Sequence, residues 1–579
     1  MRKKIQLSIL LMLILWIAGS GAVFAEQEGR GALRGETASP RRERLRAAKS
    51  GEQEMLNNGG EFLRVGDKVY FRKFRFDEDS SIADWGHHRT NPYSKNLRSD
   101  FGYWDVKGKK FHKVFEDGGY GPIFYLNGRF YLQERSENRE GSRVYSVDIN
   151  GKKKKPLGEG KVAGVDAATG SVVFQSSSKL SVYRGGALRK ELDVNYNLLC
   201  EFADGQMIYG SAEPDTGGNG GILLRSIDMK TLGEPRLLGE TLTDEENEGR
   251  TFYFMQVVSS KQAEGKLWLC VEHREGSGMF LSKGEVYSLD PKKAGSLRRA
   301  AVYEDLMEDR VPGFAVKNGK VKFYDILPGE VKEKEGNLYF NASDQPSKQI
   351  DKHRIYKNDY PNRDEDLFFN IETAERVGDE IYFVRNKERF YYAFGSRHYY
   401  YQLVNTEYFS YNIRTGKLHS LFGRLHNDAP LSALIWVSKD KKDENRLLFE
   451  QAELVRKSDD EDKKFFYGIS DEDITGEGVM VSRTHHLAQT AKLSPKLTFE
   501  YLMLGKNGKP VAVKDGGLKE FKEIMKNRRK AAVSFRKDEN GSGYLAPREA
   551  EDWKDKVFAQ LYFDESGETV LRIVEIEMP

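Results

Sequence analysis

From Gly59 onward the chain repeats one short hydropathy phrase. A pair of turn residues opens a short run that is apolar or alternating, and a polar residue closes it. The phrase is VGDKVYF at 65–71 and returns almost unchanged as VGDEIYF at 377–383. Between and beyond these copies it loosens to NGRFYLQ from Asn127, TGSVVFQ from Thr169, DGQMIYG from Asp204, EGKLWLC from Glu264, EGNLYFN from Glu335 and ENRLLFE from Glu444. Glycine at the turn supplies the positive φ that a tight hairpin demands, and the β-branched and aromatic residues that follow suit a sheet. Each copy therefore predicts a turn followed by a short strand, called a hook below.

A second phrase accompanies most hooks. RVYSVDINGKKKKPL begins at Arg143, EVYSLDPKKAGSLRRA at Glu285 and YFSYNIRTGKLHSLF at Tyr408. Each reads as a strand, a turn at Asp or Asn with Gly or Lys, and a polar return strand. Hook plus hairpin makes about four strands, recurring every ~35 to 70 residues. That content predicts an all-β protein, a β-propeller, and not a helical solenoid. Crossover helices are absent from the pattern, which argues against a parallel α/β sheet. In a propeller the hook strand lies inside a blade between two neighbours, so it must be apolar on both faces. Seven blades are expected, with six or eight open, because the hooks near Gly319 and Gly336 stand too close together for two full blades.

The phrases GDKVYF at 66–71, GDEIYF at 378–383 and YNIRTGKL at 411–418 resemble the repeats of exported bacterial propellers of unknown function, in the style of TolB-like and YWTD-type repeats. The resemblance covers about residues 59–480. It implies a propeller and carries no site, because its motifs encode a hairpin.

The pattern changes at both ends. Near the C-terminus, Asp515 is placed to cap a helix with Leu518, Phe521, Ile524 and Met525 on one stripe. A strand AAVSF from Ala531, a short helix after Pro547, and the hairpin VFAQLYF–DESG–TVLRIVEIE follow. The reading is a small α+β region over 486–579, or an elaborated closing blade whose last strand seals the ring. The propeller itself is assigned to 59–485.

At the N-terminus Arg2, Lys3 and Lys4 precede the apolar run Ile5–Ile17 and a small-residue stretch ending at Ala25. This predicts a signal peptide over 1–25 and a secreted or cell-surface protein, the alternative being an uncleaved anchor. Residues 26–58 are polar and carry Arg41, Arg42, Arg44 and Arg46 among glutamates, as a linker would. No later stretch approaches the ~20 apolar residues of a spanning helix, so no transmembrane domain is expected after cleavage.

Composition removes some function classes. Lys+Arg 92 against Asp+Glu 89 lacks the basic excess of a nucleic-acid binder. Cys200 and Cys270 are the only cysteines, both in apolar strand-like runs, and buried free thiols are expected. No nucleophile elbow, P-loop, dinucleotide fingerprint or EF-hand spacing occurs, and no cofactor is expected. The run Lys152–Lys155 reads as a solvated hairpin tip.

Two features retain candidate chemistry. The pairs His87–His88 and His485–His486 could converge with Asp84 or Asp471 into a metal centre if the first and last blades meet, though no ligand motif supports it. The stretch FYYAFGSRHYYYQL at 390–403 predicts a hairpin with Tyr391, Arg397, His398, Tyr399, Tyr400 and Tyr401 as a candidate binding surface. Aromatic faces beside an Arg can stack on sugar rings or clamp a peptide; inter-blade packing is the competing role. The expected function is an exported, non-catalytic binding or scaffold protein that meets a peptide, glycan or protein partner. Two alternatives are an extracytoplasmic hydrolase or lyase acting on polysaccharide, and an envelope assembly component.

Overall fold

A computed structural model describes residues 55–576, apart from 76–97, 136–141, 213–221, 242–251, 276–281, 306–310, 342–347, 352–366, 393–398, 438–444, 460–463, 465–469, 475–478, 483–488, 505–509, 529–556 and a few shorter breaks. The described chain is almost wholly strand. Eight antiparallel sheets succeed one another along it, each with its strands in sequence order save that the short last strand of the eighth pairs back on that sheet's third. They occupy 55–117 (five strands), 119–159, 161–193, 197–240 and 252–305 (four each), 313–324 (two), 331–351 (three) and 367–426 (five). The two closely spaced hooks near Gly319 and Gly336 account for the two reduced sheets.

The hook strands explain how these sheets become a ring. In Lys68–Arg75, Tyr70 packs with Phe101, Ile123 and Phe130 toward the second sheet. Its neighbour Phe71 packs with Tyr382, Val384 and Tyr408 of the sheet at 367–426. Successive strand residues point to opposite faces, so one strand grips both neighbours. Mixed clusters join the second sheet to the third, the third to the fourth, the fourth to the fifth, and the fifth to the hairpin at 313–324. Ile326 and Leu327, both buried, link that hairpin onward, and Asn341 donates to the Ile326 carbonyl at 2.7 Å. The three-stranded sheet then packs on the sheet at 367–426. The ring thus closes between the first sheet and the sheet at 367–426.

Aromatic contacts line the closing seam, with Phe62 5.6 Å from Tyr382 and Phe71 5.5 Å from Tyr408. Each such pair adds ~0.5–1.5 kcal/mol beyond burial. A carboxylate latches the same seam. Glu375 accepts from the side-chain amide of Asn57 (2.7 Å) and from the backbone N–H groups of Glu61 (2.9 Å) and Phe62 (3.0 Å), more than 300 positions earlier in the chain. No strand is exchanged at this seam among the described residues.

The ring has two unlike faces. The hook turns, of two to four residues, and the outer hairpin turns, of two to eight, all lie on one side, the turn face. Gly66 (φ 60°) and Gly378 (φ 68°) stand first in two-residue turns, as a type II′ hairpin requires. At Asp204–Gly205 both residues have positive φ (50° and 78°), the type I′ pattern. The second-to-third connections and most crossings between sheets leave from strand ends on the opposite side, the loop face.

The C-terminal region is a seven-stranded mixed sheet spanning 431–575, so its strands come from both sides of position 486. The helix Leu518–Arg528 covers it, burying Phe521 and Met525 against Phe499 and Leu497, with Leu518 and Ile524 flanking. The stripe is as read from the sequence, but the cap is not. Asp515 lies in the strand Pro510–Gly517, paired with Glu500, and Glu520 takes the Gly517 N–H at 2.9 Å. The expected strand from Ala531 and helix after Pro547 fall outside the described residues.

Candidate functional site: the loop face

The strand ends that support the loop face are polar where the turn-face ends are apolar. The hook strands show this internally: KVYF runs into RKFR at 68–75, and KLWLC into VEHRE at 266–275. Charges placed this deep need partners, since an unpaired buried charge is expensive. They form three clusters.

The first lies between the first and second sheets. Asp117, almost fully buried, receives Arg72 Nε at 2.7 Å, the Tyr145 hydroxyl at 2.7 Å and the Gly119 N–H at 2.8 Å. Arg72 Nη1 donates to the Gly121 carbonyl at 2.6 Å. Burial pushes the Tyr145 phenol far above its ordinary range, and the Asp117 charge adds to the effect. Outside this core, Arg75 meets Glu116 (2.8 Å) and Lys113 meets Asp100 (2.8 Å).

The second cluster is in the fifth sheet. The Glu285 carboxylate is wholly buried, 3.3 Å from His273 Nε2, 3.2 Å from Lys283 Nζ and 3.2 Å from Arg299 Nη1, and it accepts from the Tyr287 hydroxyl. Burial alone would raise its pKa. The hydrogen bonds from His273 and Tyr287 and the nearby cations reverse that and hold it at about 2.

The third cluster belongs to the hairpin Glu380–Tyr392 and Tyr399–Asn412, among the longest strands of the ring. Arg385 pairs with Glu407 at 2.8 Å, and Thr406 donates to Asn386 at 3.0 Å. Nearer the loop face the hairpin carries the C-terminal sheet. Lys387 meets Glu568 at 2.8 Å, Asn405 donates to the Glu565 carbonyl at 2.7 Å, and the buried Arg389 donates to the Gly567 carbonyl. Arg389 also lies over the rings of Phe563 (4.4 Å) and Phe449 (5.3 Å).

The aromatic stretch does form the expected hairpin stem. Tyr391 stands opposite Tyr400, Tyr392 opposite Tyr399 and Phe390 opposite Tyr401. Arg397 and His398 lie outside the described residues, as do His87, His88, His485, His486 and Asp84. Asp471 is described and is paired with Lys464 at 2.8 Å. No group of three or more potential metal ligands occurs among the described residues. Cys200 and Cys270 are free thiols, and burial pushes the pKa of Cys270 up to about 12. Sequence reading missed the Asp117 and Glu285 clusters. Their signal was the charge in the second half of otherwise apolar hook strands.

No protein-family model matches the chain, and no curated protein matches it. Solved structures do. The β-propeller domain of the Trilobed protease from Pyrococcus furiosus is 12% identical over 66% of this chain and 98% of its own, at a TM-score of 0.33. An acylaminoacyl peptidase in complex with a chloromethyl ketone is 10% identical over 70% of this chain, which spans 59% of the peptidase, at 0.33. A polysaccharide lyase, an ulvan lyase bound to a glucuronate–rhamnose sulfate chain, is 9% identical over 69% and 92%, at 0.28. Likeness at this level transfers no residue and no activity. The ring of successive antiparallel sheets defines the protein: it is a β-propeller with a C-terminal α+β region. Among the described residues no helix is long and apolar enough to cross a membrane.

Proposed function

We propose that this chain is an exported, non-catalytic binding or scaffold protein that recognises a peptide, glycan or protein partner with its loop face. The observation that carries this reading is the asymmetry of the ring. The hook turns close one side within two to four residues, while the segments 76–97 and 242–251 leave from strand ends on the other, where the C-terminal sheet also docks and buried ion pairs lock the strands. Long connections on a rigid frame suit recognition. The aromatic hairpin stem, continuing past the Arg389 anchor, is the part of that face we assign to contact. Kinship with TolB-like and YWTD-type exported propellers belongs to the same proposal, as does secretion through residues 1–25.

Replacing Tyr399, Tyr400 and Tyr401 together by Ala tests it. Retention on an array of glycans and peptides should be lost with the melting temperature unchanged. A fall in melting temperature with retention intact would make these tyrosines packing residues and end the assignment. The enzyme alternative predicts turnover of a polysaccharide that disappears when His87, His88, His485 and His486 are replaced. The assembly alternative places docking on the C-terminal region, where Val511 and Val513 are exposed on the edge strand Pro510–Gly517.

A further inference from the structure

The near-neutral whole chain conceals a strongly polarised turn face. The third-to-fourth strand turns form an outer circle at 105–110, 148–155, 184–190, 228–236, 290–299 and 412–419. They hold 18 Lys and Arg against 5 Asp and Glu. The hook turns form an inner circle at 65–68, 126–129, 166–171, 203–206, 263–266 and 377–380. There the balance is 3 Lys and Arg against 6 Asp and Glu. Acidic residues take part of the outer charge: Lys107 meets Asp67 at 2.6 Å, Arg414 meets Asp379 at 2.5 Å, Lys154 meets Glu134 at 2.6 Å and Lys190 meets Glu234 at 3.4 Å, while Arg299 is drawn into the Glu285 network. Lys110, Lys152, Lys230, Lys293 and Lys417 remain exposed.

Two further observations say what such a surface meets. The first is its shape. The turns, of two to eight residues, are tied to one another from sheet to sheet. Arg184 donates to the Lys230 carbonyl at 3.4 Å, the Gly295 N–H to Leu237 at 3.2 Å, and the Gly319 N–H to Glu264 at 2.8 Å. The cations therefore stand on turns that are fixed to their neighbours around the ring. A linear polyanion is normally tracked by a groove or a stripe. Twelve of the 18 cations are Lys, point charges without the fork that reads one phosphate or sulfate at a time.

The second is where the chain enters. Met55 pairs with Val65, immediately before the Gly66–Asp67 turn, so the described chain starts on the turn face. The apolar run at 5–25, read from the sequence as an export or anchor segment, precedes that strand in the chain.

We propose that the turn face rests on a bilayer surface of anionic phospholipid, with the outer circle of lysines facing the headgroups. Each Lys or Arg near such a surface strengthens binding several-fold, and the effect fades over a Debye length. The loop face then points away from the lipid, toward a partner. This inference does not depend on the nature of that partner.

The test uses the full chain and vesicles of phosphatidylcholine with or without phosphatidylglycerol, read by co-sedimentation. A variant carrying Lys110→Glu, Lys152→Glu, Lys230→Glu, Lys293→Glu and Lys417→Glu keeps the apolar segment and should keep its melting temperature. Its partitioning to phosphatidylglycerol vesicles should fall by about a hundredfold or more, with background on phosphatidylcholine unchanged. A control with Lys496→Glu, Lys514→Glu and Lys519→Glu, on the C-terminal region, should bind as the parent does. Raising salt from about 0.1 to about 0.5 M should release the parent. Equal binding by parent and turn-face variant would overturn the proposal, and so would equal loss in the control. Displacement of the parent from vesicles by dextran sulfate at lower charge concentration would also overturn it, making the partner a polyanionic glycan.

Discussion

The turn face and the loop face are built from the two ends of the same strands, yet they solve different problems. At the turn face local backbone chemistry shapes each turn: Gly66 and Gly378 supply positive φ for two-residue hook turns, and Asp105 and Asp228 fold their carboxylates onto following N–H groups in the longer outer turns. Those hydrogen bonds lower the pKa of both aspartates. At the loop face the strand ends carry buried charge, and tertiary partners decide the structure. The Asp117 and Glu285 carboxylates are each held by groups from at least two strands. The lesson is that each turn-face turn is shaped locally and only tied to its neighbour by single hydrogen bonds, whereas the loop-face strand ends stand or fall as networks of buried charge.

That contrast predicts a ranked series of effects on unfolding free energy. Removing Glu285 with Ala strands His273, Lys283 and Arg299 around a vacated site, and should cost ~3–5 kcal/mol in chemical denaturation. A loss below about 1 kcal/mol would mean that the loop-face network is not stabilising. Glu375→Ala breaks the latch on Asn57, Glu61 and Phe62 and should cost ~3 kcal/mol. It should also speed proteolysis of the 57–62 segment, which a purely local defect would not do.

The Glu285 network also sets a pH window. Its carboxyl is lowered from 4.5 to about 2, so its contribution is complete above about pH 4.5 and is lost as pH falls toward 2. Glu285→Gln should flatten the acid limb of stability in that window and leave the curve above pH 6 parallel to the parent's. On the turn face the expected changes are smaller. Gly205→Ala has no steric neighbour within 4 Å but sits at φ 78°, so it should cost only ~1 kcal/mol. Should Gly205→Ala cost as much as Glu375→Ala, the view of the turn face as a set of local units would fail.

Much of the ring was legible in the sequence. VGDKVYF and VGDEIYF fix a II′ turn and an apolar strand by local rules, and the residue period of two assigns Tyr70 and Phe71 to opposite neighbours. The unusual spacing of the hooks at Gly319 and Gly336 already marked the place where two reduced sheets occur. The stripe Leu518–Phe521–Ile524–Met525 was equally plain, because a helix buries one face at fixed spacing. The cap was not legible, since Asp515 was taken up by pairing with Glu500 across the sheet.

The candidate site was legible only as a list of residue types. The sequence marks the aromatic stretch and predicts its hairpin. It could not say that the same hairpin would carry the C-terminal sheet through Lys387, Arg389 and Asn405, because those contacts join positions about 160 to 180 residues apart. The partners of Asp117 and Glu285 were hidden for a similar reason. A charge in a strand is tolerable only if a partner arrives from elsewhere, and arrival is decided by packing.

By itself, then, the sequence determined the unit: turn, hook strand, hairpin, and the double-sided apolar face that requires neighbours. Those properties depend on φ preference and side-chain alternation, which act over a few residues. Only the tertiary structure decided the seam at which the ring closes, the Glu375 latch, and the sorting of Lys and Arg onto one face and buried ion pairs beneath the other. These depend on which distant strands meet, and nothing local in the chain encodes that meeting.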